Sequence, residues 1–354
     1  MGWDKILSSR SKWMEGTGPA ADIVLTSRIR LARNLDGRPF PHLMSPEQGT
    51  QVISEVTEAL KRLPPGELGT FKVYNLSEML PLQRMALVEK HLASPEHAKG
   101  DGQKALGLRE DEAVSVMINE EDHIRLQCLY PGLQLDETWE LATRLDDWLE
   151  KKLTYAFDEK KGYLTACPTN VGTGLRASVM MHLPALTMTD QAKRLFTAMS
   201  KLGLVVRGIY GEGTEAIGNL FQVSNQITLG QSEGEILNNL KSVARQIIEQ
   251  ERNAREMLLT GTRVELEDRV WRSYGILANA RRISSEEAMR RLSDVRLGID
   301  TGMIGDVSSR VLNELLVLTR PGYLQLLVGR KLNSAERDQK RAELIRERLK
   351  PSKR

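Results

Sequence analysis

Residues 167–179 read CPTNVGTGLRASV, and the rest of the chain is arranged around them. A short strand, GYLTA at 162–166, delivers the backbone to Cys167. Pro168, Asn170, Gly172 and Gly174 then stop strand and helix alike, which predicts an ordered loop. Glycines at 172 and 174 let backbone N–H groups approach an anion closely. Arg176 adds a planar fork of donors matched to phosphate oxygens. On spacing alone the same residues also describe a glycine-rich turn beside a buried thiol, so the decision rests on what flanks them.

The 354 residues are enough for two domains, each with its own core. An apolar fraction of 40% with 27% charged residues belongs to a water-soluble globular chain. No apolar run nears the roughly 18 residues that span a bilayer, and the opening MGWDKILSSRSKW lacks the apolar centre of a signal peptide. A cytoplasmic protein with no membrane partner is expected. Cys128 and Cys167 are too few for a disulfide framework and are expected to be reduced. A net charge of +3 is too small to argue for direct nucleic-acid binding.

Residues 1–20 are polar, with Gly and Pro, and read as a loosely anchored arm. ADIVLTSRIRLARN at 21–34 has strand character to Thr26; if the strand continues, Arg28 and Arg30 share a side. That is a two-pronged phosphate clamp or, as readily, a solvated basic strand. Ser45 to Gln48 predicts a helix start, with Val52, Ile53, Val56, Ala59 and Leu60 as its buried stripe. FKVYNL at 71–76 reads as a strand, 81–92 as a helix ending near His91, and 94–107 as a mobile loop. AVSVMI, NEED and HIRLQCLY at 113–130 form a hairpin whose second strand alternates Ile124, Leu126 and Cys128 with His123, Arg125 and Gln127. Carried back through the turn, the same parity puts Glu121 on the side of Arg125, although three acids at a hairpin tip also suit a solvated turn.

Asp136 is expected to cap a helix. Another helix starts near Thr189 with Leu195, Phe196, Met199 and Leu202 inward. LVVRGIY at 204–210 reads as a strand carrying Arg207 to the glycine-punctuated loop GEGTEAIG. FQVSNQITL is one more strand, and Ser232 to Glu235 is a capping box opening a long helix. From Arg255 strand signals stop and charged amphipathic helices run to Arg354, broken at 298–305 and at Pro321-Gly322. The fold expected is α+β, residues 21–254 forming a largely antiparallel sheet flanked by helices and residues 255–354 an all-helical domain.

Four further blocks stand in order with the 167–179 stretch: TSRIRLARN at 26–34, INEEDHIR at 118–125, VRGIYGEGTEA at 206–216 and VSNQITLGQSE at 223–233. Together they resemble the phosphagen (guanidino) kinases over about residues 22–254. The resemblance implies an eight-stranded antiparallel sheet and ATP as phosphoryl donor, with Mg²⁺ held through the nucleotide phosphates rather than by a side-chain metal site. It implies that Arg28, Arg30, Arg125, Arg176 and Arg207 cradle the phosphates, with Ser27 and Ser178 beside them and His91 near the adenine. Glu121 and Glu212 match the positions that grip a guanidinium, and Cys167 matches a reactive thiol placed among arginines that favour its thiolate. A guanidinium is protonated at neutral pH, so attack through nitrogen needs a base; Glu121 takes that role, while Glu212, with Glu215 as near neighbour, sits in the loop that closes over the substrate. No GxxxxGK[ST] or HRD element is present, which leaves the phosphate work to the arginines.

In phosphagen kinases a helical N-terminal domain precedes the first arginine clamp and closes over a small substrate; here the clamp begins at Arg28. An open site admits an arginine that is already part of a protein, and this layout is similar to that of the bacterial protein arginine kinases. RDQKRA at 337–342 lies on a helix capped by Asn333 and Glu336 and resembles their phosphoarginine pocket, with Asp338 for the guanidinium and Arg337 and Arg341 for the phosphate. A salt-bridged, exposed helix surface uses the same residues. The resemblance implies protein substrates with exposed arginines and a role in stress-response control or protein degradation. It also implies a stress-response repressor, a zinc-finger activator and a Clp-type unfoldase as partners, and a homodimer with an allosteric helical domain. A minimal arginine kinase acting on free arginine and a binding adaptor for stress proteins are the alternatives.

Overall fold

The computed structural model of the chain describes residues 9–64, 66, 68–209 and 216–350. Period-two alternation builds its centre. The strands are β1 (Val24–Arg33), β2 (Phe71–Asn75), β3 (Ala105–Arg109), β4 (Val114–Ile118), β5 (Ile124–Pro131), the short pair β6 (Phe157–Asp158) and β7 (Gly162–Tyr163), β8 (Leu175–His182), β9 (Leu204–Gly208) and β10 (Leu220–Asn225). Eight of them form one antiparallel sheet in the order β2-β3-β4-β5-β1-β8-β10-β9, the sheet that the resemblance implied.

On one face Ile29, Leu31, Leu126, Val179 and Val223 are fully buried. Helices α1 (Pro46–Lys61), α2 (Pro81–Glu89), α3 (Pro95–Ala98), α4 (Leu135–Glu150), α5 (Pro184–Met188), α6 (Ala192–Lys201) and α7 (Glu233–Gly261) surround the sheet. Val52 and Val56 of α1, Leu145 and Leu149 of α4, and Leu240 and Ile247 of α7 join those strand residues in one apolar cluster, each fully buried side chain contributing about 1.5–3 kcal/mol. The alternate strand positions face the other way: Arg28 and Arg30 on β1, Arg125 on β5, Arg176 and Ser178 on β8, and Gln222 on β10. Register aligns them, with Arg30 opposite Arg176, Arg28 opposite Ser178 and Gln222 opposite Arg207.

Helices α8 (Arg263–Asn279), α9 (Ser285–Asp300), α10 (Ser309–Leu318), α11 (Pro321–Val328) and α12 (Ser334–Leu349) follow. The break expected at 298–305 lies at 301–308, α9 running on through Gly298 to Asp300, and the one expected at Pro321-Gly322 falls just before Pro321, which starts α11. Leu266, Val270, Leu292, Leu315 and Ile345 form their own core. α7 runs unbroken past Arg255, and the helical path bends only at Thr262. A third cluster joins the two parts, bringing Leu25, Leu129 and Met180 of the sheet against Met289, Leu316 and Tyr323.

Several local expectations change. The arm is anchored among its described residues: Trp13 is 0% exposed and donates Nε1–H to the Lys90 carbonyl at 3.1 Å. The 94–107 stretch is ordered, since Ser94 caps α3 and β3 begins at Ala105. GYLTA keeps only two strand residues. Gln134, not Asp136, occupies the cap of α4; Asp136 sits in the first turn and binds Lys241 Nζ at 2.8 Å. The helix expected near Thr189 begins at Ala192, and Leu202, just past its end, is 49% exposed.

Candidate active site

Each polar residue of the β4–β5 turn is tied to a different part of the fold. Asn119 donates Nδ2–H to the carbonyls of Gly49 and Gln103. Glu120 accepts from Arg125, and its second oxygen accepts from Ser94 Oγ at 2.5 Å. Asp122 Oδ1 accepts from Asn34 Nδ2 at 2.6 Å and from the Ala166 N–H at 2.7 Å, locking the turn to the exit of β1 and to the approach of Cys167. That leaves Glu121 exposed at the tip, within electrostatic reach of the Cys167 thiol. Burial, then the negative charges of Asp122 and Glu120, raise the Glu121 pKa against the opposing effects of Arg125 and Cys167. Cys167 Sγ also lies 3.0 Å from Thr169 Oγ1.

The loop after Cys167 uses its glycines for packing. A Cβ on Gly172, at φ +109°, would come within 2.4 Å of the Thr228 carbonyl oxygen, and one on Gly174, at φ +64°, within 2.6 Å of that of Ala32. Both close approaches are to protein backbone, and they press the loop onto β1 and the 226–229 segment.

The arginines crowd one another. Burial first, then Arg125 and Arg176, bring the Arg28 guanidinium down to about 10. Arg30 is pushed well below its ordinary value by burial, Arg28, Arg125 and Arg176, with only Glu120 opposing, and its buried Nε meets no hydrogen-bond partner. Arg176 is lowered by burial, Arg207 and Arg125, and steadied by Cys167 and Glu121. So many cations converging on so little negative charge make a site for a polyanion. Arg28 is held in place, donating Nε–H to Ser178 Oγ at 3.1 Å and another N–H to Gln222 Oε1 at 2.7 Å.

Thr26, Arg28, Arg30, His91, Met180, Arg207 and Gln222 line a cavity of about 340 Å³. His91 is fixed at φ +60°, its carbonyl taking the Gln127 amide at 2.8 Å and its ring edge-on to Trp13 at 5.3 Å. Burial, Arg28 and Arg320 hold its imidazole neutral, with a pKa of about 3. Ser27 is not brought in. Its side chain lies fully buried on the other face, accepting from the Gln134 N–H and donating to the Gly132 carbonyl. Glu212 and Glu215 lie outside the described residues. Gln222 and Glu120 escaped the sequence reading as site residues; parity with Arg207 across the strand pair was the signal for Gln222, whereas Glu120, in the turn outside both strands and out of parity with Arg125, gave none.

In the helical domain Arg341 is 1% exposed. It donates to the carbonyls of Thr319 and Ile283 at 2.8 and 2.9 Å and to Asp338 Oδ1 at 2.7 Å. Arg337 donates to the Leu332 carbonyl at 2.9 Å, and Arg282 stands 3.7 Å from Asp338. The exposed charge cluster expected of RDQKRA is therefore a tie between α12, the end of α10 and the segment before α9.

Residues 51–254 match the family described as ATP:guanido phosphotransferase, C-terminal catalytic domain, and residues 263–354 match the Protein-arginine kinase McsB C-terminal domain. The protein-arginine kinase of Brevibacillus brevis is 59% identical over 96% of this chain and 95% of its own. Those of Moorella thermoacetica and Symbiobacterium thermophilum are 56% and 57% identical, over 97% and 99% of this chain and 98% and 99% of theirs. Among solved structures, lombricine kinase aligns with a TM-score of 0.59 at 26% identity, over 71% of this chain and 70% of that one. The substrate-free duplicated taurocyamine kinase of Schistosoma mansoni shares the fold with a TM-score of 0.60, over 78% of this chain and 42% of that one.

Proposed function

The chain belongs to the ATP:guanido phosphotransferases, among the protein-arginine kinases, and phosphorylates arginine side chains in proteins; from that premise we propose that Glu121 is its catalytic base and the arginine cluster its nucleotide cradle. The observation that carries this is the geometry of the β4–β5 turn, which ties up Glu120 and Asp122 and leaves Glu121 exposed beside the cluster of Arg28, Arg30, Arg125, Arg176 and Arg207. A substrate guanidinium held against Glu121 faces the γ-phosphate bound by Arg125, Arg176 and Arg207. Its nitrogen gives up a proton to the Glu121 carboxylate as the N–P bond forms. The bond from phosphorus to the bridging oxygen breaks, and its electron pair leaves with ADP, whose charge stays on Arg28 and Arg30.

Cys167 contributes as a positioning and electrostatic partner of the guanidinium. The cradle is built of nitrogen donors, which suits a nucleotide that brings Mg²⁺ on its own oxygens; bound there, Mg²⁺ neutralises phosphate charge. His91, kept neutral, suits the less charged end of the nucleotide. Arg337, Asp338 and Arg341 are proposed as a phosphoarginine-sensing site. Cytoplasmic residence, dimerisation and use of the mark in stress control or protein degradation extend the proposal on the strength of the resemblance alone. No helix among the described residues is long and apolar enough to cross a membrane.

The test is incubation with labelled ATP, free arginine and an arginine-rich protein. Acid-labile label on the protein is expected. Label confined to free arginine would reassign the enzyme as a small-molecule kinase, and label on neither would count against phosphoryl transfer by this chain on its own.

A further inference from the structure

Where the GEGTEAIG segment ends, just before β10, the chain makes a turn at 216–219 that the sheet alone does not hold. Gly218 and Asn219 both have left-handed backbones, at φ +71° and +55°. A Cβ on Gly218 would come within 2.9 Å of the Met289 carbonyl oxygen, so the turn is pressed directly onto α9. Asn219 Nδ2–H donates to Ser293 Oγ at 2.8 Å, and the same hydroxyl lies 2.8 Å from His182 Nε2. Ser293 and His182 are both almost wholly buried. One hydroxyl of the helical domain thus joins the last residue of β8 to the residue just before β10, two strands paired there as His182 opposite Leu220.

What these strands carry makes the joint matter. β10 places Gln222, which holds Arg28, and pairs with β9, which places Arg207. β8 places Ser178, the other partner of Arg28, and Met180 on the cavity wall. The Asn219 carbonyl accepts from the Leu183 N–H at 2.9 Å and the Leu220 carbonyl from the Ile209 N–H at 2.8 Å, so a shift at the turn reaches both neighbouring strands. Met180 and Leu129, which line the nucleotide cavity, pack in the same cluster as Met289 of α9.

We propose that Ser293 is a positioning residue for phosphoryl transfer: through it α9 sets the turn at 216–219 and the β8–β10–β9 edge, and the nucleotide cradle is complete only with the helical domain docked. This rests on the reading of Arg28 and its neighbours as the phosphate cradle.

The test uses the full chain and three variants: Ser293→Ala, Asn219→Gly, which keeps a left-handed backbone and loses only the amide, and Ser273→Ala. Ser273 Oγ donates to Asp294 Oδ2 at 2.7 Å between α8 and α9, so its loss weakens the α8–α9 contact while leaving the bonds of Ser293 to Asn219 and His182 in place. ATP affinity is read by calorimetry, Tm by thermal unfolding, and kcat and KM for ATP with an arginine-rich protein as acceptor. Ser293→Ala and Asn219→Gly are each expected to weaken ATP binding roughly tenfold, and the double variant no further than Ser293→Ala, because the bond lost in Asn219→Gly is already among those that Ser293→Ala removes. Ser273→Ala is expected to lower Tm while ATP affinity stays put. Ser293→Ala that loses Tm as Ser273→Ala does, with unaltered ATP affinity and kcat, overturns the proposal. If Ser293→Ala does not fold, Asn219→Gly decides alone. Arg28→Ala separates the two readings: unchanged ATP affinity in that variant removes the cradle itself, whereas weakened binding there with no effect at Ser293 and Asn219 removes only the joint.

Discussion

Of the three acids at the hairpin tip, two are spoken for: Glu120 by Arg125 and Ser94, Asp122 by Asn34 and Ala166. Glu121 remains, exposed and open to approach. Glu121→Gln is therefore expected to abolish transfer while ATP binding stays within a few-fold, measured as kcat beside a calorimetric Kd; parallel loss of both would make Glu121 a nucleotide ligand. Because burial and its acidic neighbours raise its pKa, Glu121, the proposed base, is protonated over a wider acidic range than an ordinary carboxyl. The activity of the wild type falls as pH drops through that raised value, and the acid limb of kcat/KM lies above the usual carboxylate range. Cys167→Ser, which removes one electrostatic contribution, is expected to cost on the order of 10²-fold in kcat, and an unchanged rate would mark the thiol as structural. Period-two parity made this much legible in the sequence, since Arg28, Arg30, Arg125 and Glu121 needed only a strand to share a side. The same parity excludes the side chain of Ser27, which a resemblance read residue by residue had included.

Helix starts were the most readable elements, because a capping box closes within four residues. Ser45 with Gln48, Ser232 with Glu235 and Asn333 with Glu336 all form the reciprocal bonds. Elements fixed by distant partners were not readable: Trp13 owes its place to Lys90, and Leu202 is left exposed because α6 ends before it. Arg341 belongs with these. Its sequence neighbours suggest a solvated charge row, yet its guanidinium reaches two carbonyls from other segments. Arg341→Ala is expected to destabilise the protein by about 3–5 kcal/mol in urea unfolding, since Asp338 and the two carbonyls lose a shared partner. Asp338→Ala, at a partly exposed position, is expected to cost less. A loss for Arg341→Ala within the scatter of the wild type would return the row to the surface.

At the scale of the whole molecule, composition and the end of the strand signals were enough to foresee a sheet domain followed by helices. How the two meet was not legible, because the joining residues Leu25, Leu129, Met180, Met289, Leu316 and Tyr323 are scattered along the sequence and look like ordinary core in each half. Chains of this length with two domains commonly unfold in steps. Here the shared apolar cluster, the Ser293 joint and the bond from Arg296 to the Ala21 carbonyl at 2.8 Å make each half a wall of the other, and opening the interface would put that cluster in water at about 25 cal/mol for each Å² exposed. A single cooperative transition is therefore expected in urea. Trp13 lies inside the shared cluster and the far-ultraviolet signal covers all helices and strands, so fluorescence and circular dichroism should give coincident midpoints. A helical-domain transition at lower urea, with the sheet signal intact, would show that the halves stand independently; it would also predict that nucleotide binding survives release of α9, against the role assigned to Ser293.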